Sequence, residues 1–267
     1  LKTGAAYLPI DPSYPQNRIH YMLEDSGARF YITERELPEL LKNDNCENPR
    51  LTIESQSKYC VIYTSGSTGT PKGCVLLHQG VCNFCVNNNV VAYFDRLHVE
   101  PVGVSLNNVT FDYFIAENIT LLLHGNTTIL CDEDQSIIPD SFWELCRRHG
   151  GNLIQTTPTK YRLILNSSQN VYMENIALIV TSGEPLTKEL LKEFRRLSSA
   201  EIFNPLGPSE TTVWSPNGEY VDGEDIHIGK PLGNTQVYIV DKYMIPTPIG
   251  VTGELCIAGD GVGAGYL

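Results

Sequence analysis

The sequence predicts an α/β fold, with largely parallel strands covered by helices and a smaller β-rich subdomain toward the C-terminus. Three observations support this prediction. Apolar, strand-like runs alternate with helix-like segments from residue 59 to residue 204, as in a parallel sheet with helices packed on its faces. After Gly229 the pattern changes to short strands and turns. The 267 residues, 42% of them hydrophobic, are enough to bury a sizeable core.

The N-terminal segments predict a helix, a strand and a connection before the first strong strand. The helix opens at Ser13-Tyr14-Pro15 and ends at Gly27. A strand is predicted at residues 28–33, and a polar connection with room for a short helix at residues 34–57. Apolar strands follow at residues 59–63 and 75–77, separated by a loop rich in serine, threonine and glycine.

The rest of the chain predicts the alternating pattern. Helices are predicted at residues 79–94, 112–124, 139–149, 158–165 and 187–197. Strands are predicted between them, at residues 127–131, 152–156, 176–181 and 201–204, and later at 236–241 and 254–258. We therefore expect an α/β core at residues 1–228 and a β-rich subdomain at residues 229–267.

Composition excludes several classes of function. The formal net charge of −12 disfavours a nucleic-acid partner, because phosphate backbones select basic faces. Eight cysteines in a chain of this length are too sparse for a disulfide scaffold, which favours reduced thiols and a cytoplasmic location. The sequence has no long apolar run and no signal sequence, so we expect neither membrane insertion nor secretion.

The loop between the strands at 59–63 and 75–77 is the most informative stretch. Its sequence is Tyr63-Thr-Ser-Gly-Ser-Thr-Gly-Thr-Pro-Lys-Gly73. Glycine lets successive backbone N–H groups turn toward one point, and such donors, with hydroxyls and Lys72, bind phosphate oxygens. A flexible linker is the alternative, but the flanking strands favour a loop held in a sheet. The common P-loop is excluded, because Gly73 and a strand follow Lys72 instead of Ser or Thr and a helix.

This loop resembles the signature loop of the adenylate-forming enzymes, in particular the amino-acid adenylation domains of nonribosomal peptide synthetases. Four more segments resemble motifs of that family, in the family's order: residues 1–11 (LKTGAAYLPID), Phe111-Asp112, residues 204–210 (NPLGPSE) and residues 253–267 (GELCIAGDGVGAGYL). The chain begins with Leu1 and ends inside the last motif. The resemblance therefore implies a piece of the family's large N-terminal core, cut before its small C-terminal domain.

The resemblance implies a two-step reaction. A carboxylate attacks the α-phosphorus of ATP, which gives an acyl-adenylate and pyrophosphate, and the acyl group then passes to the phosphopantetheine thiol of a carrier protein domain in the same or a partner polypeptide. Catalytic roles are implied for Thr68, Lys72 and Glu210, with Glu210 as the Mg²⁺ ligand. The residues implied to bind ATP are Thr64, Ser65, Gly66, Ser67, Thr68, Gly69, Lys72, Asn204, Leu206, Gly207, Ser209 and Glu210.

Two positions depart from the family pattern. Leu206 stands where the family has an aromatic residue that stacks on adenine, so we expect a loss of about 1–3 kcal/mol of base packing. Ala264 stands where the last motif has an arginine. Ser209 replaces a threonine that contacts the α-phosphate and keeps its hydroxyl.

The substrate class depends on Asp112. The resemblance implies that it pairs with the α-ammonium of an amino acid, whereas ligases for plain acids have no such cation to pair with a buried carboxylate. Capping a helix is the alternative role, and both roles are compatible. The rest of the implied pocket wall is mostly apolar, which suggests an uncharged amino acid: Tyr113, Ala116, Gln155, Val180, Ser182, Pro205, Val213 and Trp214. Gly183 and Glu184 are implied to lie near the substrate carboxylate, and an ordinary polar turn is their alternative.

Three functions stay open on the sequence. The first is amino-acid adenylation for nonribosomal peptide synthesis. The second is an acid–thiol ligase for another carboxylate, of the D-alanine–carrier ligase or acyl-CoA synthetase type. The third is a catalytically silent chain that serves as a scaffold, which Leu206 and Ala264 favour.

Overall fold

The structure is a computed structural model that describes residues 2–42, 47–65, 70–215, 221 and 225–267. Helix α1 (Gln16–Ser26) confirms the first predicted helix. It begins after Pro15 and ends at Gly27, whose φ of 60° is the left-handed conformation that ends many helices. Its buried residue Met22 packs against the strands that follow.

The predicted strand at residues 28–33 is wrong. No strand of the described chain pairs with this segment, and the side chains of Phe30 and Ile32 are exposed. Strand propensity alone is insufficient, because a strand needs a neighbour for its backbone hydrogen bonds. A short helix, α2 (Leu37–Leu40), follows within the predicted polar connection.

Strands β1 (Lys58–Thr64) and β2 (Lys72–Leu77) form an antiparallel hairpin around the loop predicted to bind phosphate. Both strands are buried over most of their length. The last residues of the chain, 263–267, form backbone hydrogen bonds along β2 and so widen this small sheet. The C-terminal segment is therefore bonded to the hairpin that carries the loop.

A five-stranded parallel sheet forms the centre of the fold, as predicted. Its strands are β3 (Val102–Ser105), β4 (Thr127–Leu130), β5 (Leu153–Thr156), β6 (Leu178–Thr181) and β7 (Glu201–Phe203). Their order in the sheet is β4-β3-β5-β6-β7. Strand β3 is missing from the prediction, because four residues that include a glycine and follow Pro101 show too little of a strand pattern.

The helices confirm most of the predicted pattern. They are α3 (His78–Asn87), α4 (Asn89–Leu97), α5 (Leu121–Leu123), α6 (Glu133–Ile137), α7 (Pro139–His149), α8 (Pro158–Leu165) and α9 (Lys188–Leu197), with 3₁₀ helices at Ser168–Asn175 and Ser209–Thr211. Helices α7, α8 and α9 match their predictions to within one residue. Within the described ranges, no helix has the length and apolar character needed to cross a membrane.

The single helix predicted at residues 79–94 is two helices, because Asn88 separates α3 from α4. Its backbone is extended, with ψ of 146°. Its side-chain amide donates to Phe84 O at 2.9 Å and its oxygen accepts from Val90 N at 3.2 Å. One asparagine thus ends one helix and caps the next.

The regular helix predicted at residues 112–124 is also wrong in detail, since six of its thirteen residues, Ile115–Thr120, form a π-helix. Within this wider helix, the Thr120 hydroxyl donates to Ile115 O at 3.3 Å. At the end of β3, the Ser105 hydroxyl donates to the Glu117 carboxylate and accepts from the Asn118 amide, and these buried bonds override the local preference for an α-helix. Turns of this type are frequent at functional sites.

The two faces of the parallel sheet pack into different cores. Leu178 and Val180 belong to one hydrophobic cluster, and Ile179 between them belongs to another. The first cluster contains Trp214 and the second contains Trp143. Because successive side chains of a strand point to opposite faces, this assignment also tells which face each polar strand residue occupies.

The last two predicted strands are confirmed as an antiparallel hairpin. Strands β8 (Thr235–Val240) and β9 (Glu254–Gly259) pair along their full length. The domain boundary at residue 228 stays a prediction.

The turn that follows β7 is held in a strained and crowded conformation. A Cβ atom on Gly207 would lie 1.8 Å from the carbonyl oxygen of Val213, so only glycine fits there. Thr212 and Val213 have φ values of 60° and 68°, which β-branched residues rarely adopt. The Thr212 hydroxyl donates to Gly261 O at 2.7 Å. Such strain persists only where surrounding contacts hold it.

Gly207→Ala is expected to lower the free energy of unfolding by about 3 kcal/mol, because the new methyl group meets backbone that cannot move aside. Gly125→Ala is the matched control: its φ is 76°, but the space around its Cβ is open, so about 1 kcal/mol is expected. Denaturant unfolding of the purified variants measures both. Equal losses would contradict the close approach at Gly207.

Candidate functional site

A cleft of about 670 Å³ opens at the carboxyl ends of β6 and β7. Ligands of parallel α/β sheets bind at this edge, where the loops after neighbouring strands leave a crevice. Leu255 and Ile257 of β9 border it. Six residues predicted from the sequence also line it: Gly183, Glu184, Asn204, Pro205, Leu206 and Gly207.

The loop predicted to bind phosphate is described only at its two ends. Gly66, Ser67, Thr68 and Gly69 lie outside the described residues. Thr64 and Lys72 are partners in the register of the β1–β2 hairpin, and Ser65 follows as an exposed residue. The hairpin therefore holds the first and last predicted donors of the loop side by side.

One tyrosine connects the predicted lysine with the predicted metal ligand. The ammonium nitrogen of Lys72 lies 5.4 Å from the ring centroid of Tyr266. The Tyr266 hydroxyl donates a hydrogen bond to Glu210 Oε1, and this bond raises the pKa of Tyr266 to about 12. Lys72 and Glu210, which are far apart in the sequence, thus both contact the side chain of Tyr266.

Asp112 lies close to the segment 204–210, which contains Glu210. Only 6% of its surface is exposed, and its Oδ2 atom has no hydrogen-bond partner among the described residues. Burial raises the pKa of Asp112 to about 6; the Ser209 hydroxyl and the Tyr113 N–H oppose this rise, and the Glu210 carboxylate adds to it. Ser209 therefore lies beside Asp112, and Glu210 lies within electrostatic reach of it.

The alternative role of Asp112, capping a helix, accounts for part of its surroundings. The backbone N–H of Tyr113 lowers the pKa of the carboxyl group, but within the described chain no side-chain hydrogen bond caps the π-helix that begins at Ile115. The free Oδ2 atom is not explained by capping, because a buried carboxylate oxygen without a partner costs stability. One oxygen can serve the turn and the other remains open to a ligand.

The predicted pocket wall comes together beside Asp112. Its members are all buried: Tyr113, Ala116, Gln155, Val180, Ser182, Pro205, Val213 and Trp214. The amide of Gln155 donates to Ala116 O at 3.3 Å, and Gln155 is the register partner of Val180. The rings of Tyr113 and Trp214 meet edge to face with centroids 6.0 Å apart.

Two predicted residues lie at the cleft instead of in this buried wall. Gly183 and Glu184 are exposed. The carboxylate of Glu184 accepts hydrogen bonds from the N–H and the hydroxyl of Thr159, at 3.0 and 2.6 Å. These bonds fit the alternative of a polar turn that supports the start of α8. At the other side of the cleft, the Asn204 amide donates to His227 O at 3.1 Å.

Glu117 is a structural residue that sequence reasoning missed. It is 1% exposed, and its carboxylate accepts four hydrogen bonds, from Ser105, Leu106 and two groups of Asn107. Burial raises the pKa of Glu117 to about 8, and the four donors oppose this rise. Asn107 also donates to Gln155 O at 2.8 Å. The signal in the sequence is a glutamate among apolar residues, five positions after Asp112.

The donor set fits a magnesium nucleotide. Glu210 is half-buried and offers the hard oxygen that Mg²⁺ takes, usually with phosphate oxygens and water completing the shell. The described ranges contain no group of three or more metal-binding side chains. The cleft has the volume of a small-molecule site.

Solved structures share this fold. The N-terminal subdomain of Klebsiella oxytoca NpsA, in complex with 3-hydroxyanthranilyl-AMSN, matches with a TM-score of 0.85 over 99% of this chain and 70% of that chain. At 21% identity this likeness shows the fold alone. The four-domain nonribosomal peptide synthetase AB3403, bound to AMP and glycine, matches with a TM-score of 0.80 at 29% identity, over 98% of this chain and 20% of that chain.

A curated relative matches the whole sequence. The dimodular nonribosomal peptide synthase of Bacillus subtilis (strain 168) is 33% identical over 289 residues, which cover 100% of this chain. The chain spans 12% of the length of that protein. The family model described as "AMP-binding enzyme" matches residues 1–267, and the chain therefore belongs to the AMP-binding enzyme family.

Proposed function

We propose that the protein carrying this chain activates an amino acid with ATP, releasing pyrophosphate, and loads it onto the phosphopantetheine thiol of a carrier protein for nonribosomal peptide synthesis. The observation that supports this most directly is the unpartnered Oδ2 of buried Asp112, next to Ser209 and Glu210. The peptide synthetases among the relatives add support.

Asp112 binds the α-ammonium of the substrate. An ammonium brought to the free Oδ2 atom supplies the missing partner and keeps the carboxyl group ionised. The substrate carboxylate then faces the α-phosphate that the Ser209 hydroxyl contacts. From there its oxygen attacks the α-phosphorus, and the bond from that phosphorus to pyrophosphate breaks. A plain acid has no cation for Asp112, so the same geometry disfavours it.

The hairpin loop holds the phosphates. Lys72 and the hydroxyl and N–H groups of the loop neutralise the triphosphate and the departing pyrophosphate; removing one such donor typically costs about 10²–10³ in rate. The residues assigned to this role are Thr64, Ser65, Gly66, Ser67, Thr68, Gly69 and Lys72. Bound Mg²⁺ would be held by Glu210 and would neutralise further phosphate charge.

The cleft after β7 takes the nucleoside. Leu206 is 37% exposed there, and Leu255 and Ile257 contribute apolar surface from β9. Aliphatic contacts of this kind replace the aromatic stacking that Leu206 removes. Asn204 and Gly207 complete the floor of the cleft.

Asp112→Asn in the full-length protein is expected to reduce kcat/KM for the amino acid by about 10²-fold or more, because a buried ammonium loses its charged partner. The same change is expected to stabilise the protein by about 2 kcal/mol at neutral pH. The folded pKa of Asp112, about 6, lies above the ordinary 3.8, so its ionisation costs stability as pH rises through that range, whereas asparagine does not ionise.

The measurements are ATP–pyrophosphate exchange, over a panel of amino acids and plain acids, and thermal unfolding. Asp134→Asn, an exposed residue of α6, is the control and should change neither. Full activity of Asp112→Asn with amino acids would contradict the proposed role. Activity of the unaltered protein with plain acids only would favour the acid–thiol ligase, and activity with neither would favour the scaffold.

The amino-acid reaction is expected to weaken at low pH. Only the ionised form of Asp112 binds the ammonium, so kcat/KM should fall about tenfold per pH unit below the pKa of about 6. The substrate's own ammonium and carboxylate do not titrate between about pH 5 and pH 7. A pH series of the exchange assay tests this, with the residual activity of Asp112→Asn as the baseline. A profile that stays level down to about pH 5 would exclude Asp112 as the group that titrates.

A further inference from the structure

Three polar atoms in the pocket wall are buried and have no hydrogen-bond partner in the part of the chain that the structure describes. They are the Tyr113 hydroxyl, Gln155 Oε1 and the Ser182 hydroxyl. Their residues are 6%, 2% and 2% exposed. Most buried polar groups in native proteins are paired, because an open one costs stability. Three of them beside Asp112 indicate a ligand that supplies the missing bonds.

Gln155 and Ser182 lie on the face of the parallel sheet against which Tyr113 packs. Gln155 is the register partner of Val180, and Ser182 follows Val180 by two residues, so all three point to the same side. Val180 belongs to the hydrophobic cluster that also contains Tyr113 and Trp214. The unpartnered atoms therefore lie on the face of the sheet that packs against Tyr113 and Trp214, and not on the opposite face.

The orientation of the Gln155 amide is fixed by its neighbour. Its Nε2 donates to the carbonyl oxygen of Ala116 at 3.3 Å. The reverse orientation would place two oxygens against each other, so the nitrogen must face Ala116. Oε1 is left as the open end, and a carboxamide oxygen only accepts. A ligand that satisfies it must bring an N–H or an O–H group.

The two hydroxyls can complete such a contact from either side. Burial raises the pKa of Tyr113, and the nearby Ser182 hydroxyl opposes that rise, so the two groups lie close together. Neither has a hydrogen-bond partner of good geometry among the described residues. Each hydroxyl can donate or accept, which suits a second polar atom on the same ligand.

The charges around the pocket exclude an ionised side chain. A carboxylate there would face the buried carboxylate of Asp112. A cationic side chain would need a buried carboxylate partner. Asp112 is committed to the α-ammonium, and Glu117 already accepts four hydrogen bonds. Glu184, the other carboxylate near Tyr113, is exposed and bonded to Thr159. An uncharged polar group remains.

We propose, resting on the proposed function, that the activated amino acid carries an uncharged hydrogen-bond donor in its side chain, a hydroxyl or a carboxamide. This donor bonds to Gln155 Oε1, and the hydroxyls of Tyr113 and Ser182 bond to the same group. The pocket wall is thereby selective for a polar side chain, although most of its surface is apolar.

The test is amino-acid-dependent ATP–pyrophosphate exchange by the full-length protein with pairs of similar shape: threonine and valine, serine and alanine, asparagine and leucine, glutamine and methionine, tyrosine and phenylalanine. We expect the best substrate to be a polar member, with kcat/KM at least about 10²-fold above its apolar partner, because a site built for a hydrogen bond rejects the analogue that lacks it. An apolar or charged best substrate would overturn this inference and leave the proposed function intact. Exchange with plain acids alone would overturn both.

Gln155→Leu tests the acceptor itself. It should lower the ratio of kcat/KM for the polar amino acid to kcat/KM for its apolar counterpart at least tenfold. The reason is that the apolar amino acid no longer leaves Gln155 Oε1 without a hydrogen bond. Thr181→Val is the matched control: its buried hydroxyl also lacks a partner within the described ranges, but Thr181 alternates with Val180 and Ser182 and so faces the other side of the sheet. It should leave the preference unchanged. Equal preferences in Gln155→Leu and the unaltered protein would overturn the role of Gln155, and the panel of pairs decides the substrate class if this variant fails to fold.

Discussion

The candidate site depends on the carboxylate of Asp112, which is buried without a cationic partner among the residues that the structure describes. Desolvation of Asp112 moves its pKa from 3.8 to about 6, which corresponds to roughly 3 kcal/mol at most. No local interaction of the described residues offsets this for the free Oδ2 atom. The surrounding structure must therefore hold Asp112 in place against its own preference for water, and the binding of a cation recovers the cost. Open groups on Gln155 and Ser182 extend the same principle along the pocket wall.

Rigid supports surround this unstable centre. The π-helix that begins at Ile115 keeps Glu117 inside the core, where four donors at the end of β3 bind its carboxylate. The Asn107 amide also donates to the carbonyl oxygen of Gln155 and so links Glu117 to the pocket wall. On the opposite side, the strained turn at Thr212 and its contact with Gly261 position the wall that includes Trp214. The hydrogen-bonded residues around the pocket, such as Glu117, stabilise the fold and offset the cost of the polar groups in the pocket wall that the described residues leave unpaired.

Sequence patterns predicted the regular elements well and the irregular ones poorly. Helix α7, for example, follows from its amphipathic spacing between a proline and a glycine. Residues 28–33 have strand propensity without a strand to pair with. Residues 112–124 have a helical pattern, yet the buried bonds of Glu117 widen the turn. The motifs also selected Asp112 and its neighbours, whereas the support from Glu117 carries no motif and emerges only from contacts.

The sequence alone determined the strand–helix order, the family resemblance and the chemical identity of the site residues, because these depend on local patterns of side chains. Tertiary structure decided which of those groups meet and which are left without partners. Asp112 lies near Glu210, and Tyr266 joins Lys72 to Glu210, through packing between distant segments. Whether a polar atom is satisfied depends on every neighbour in space. A linear pattern does not contain that information.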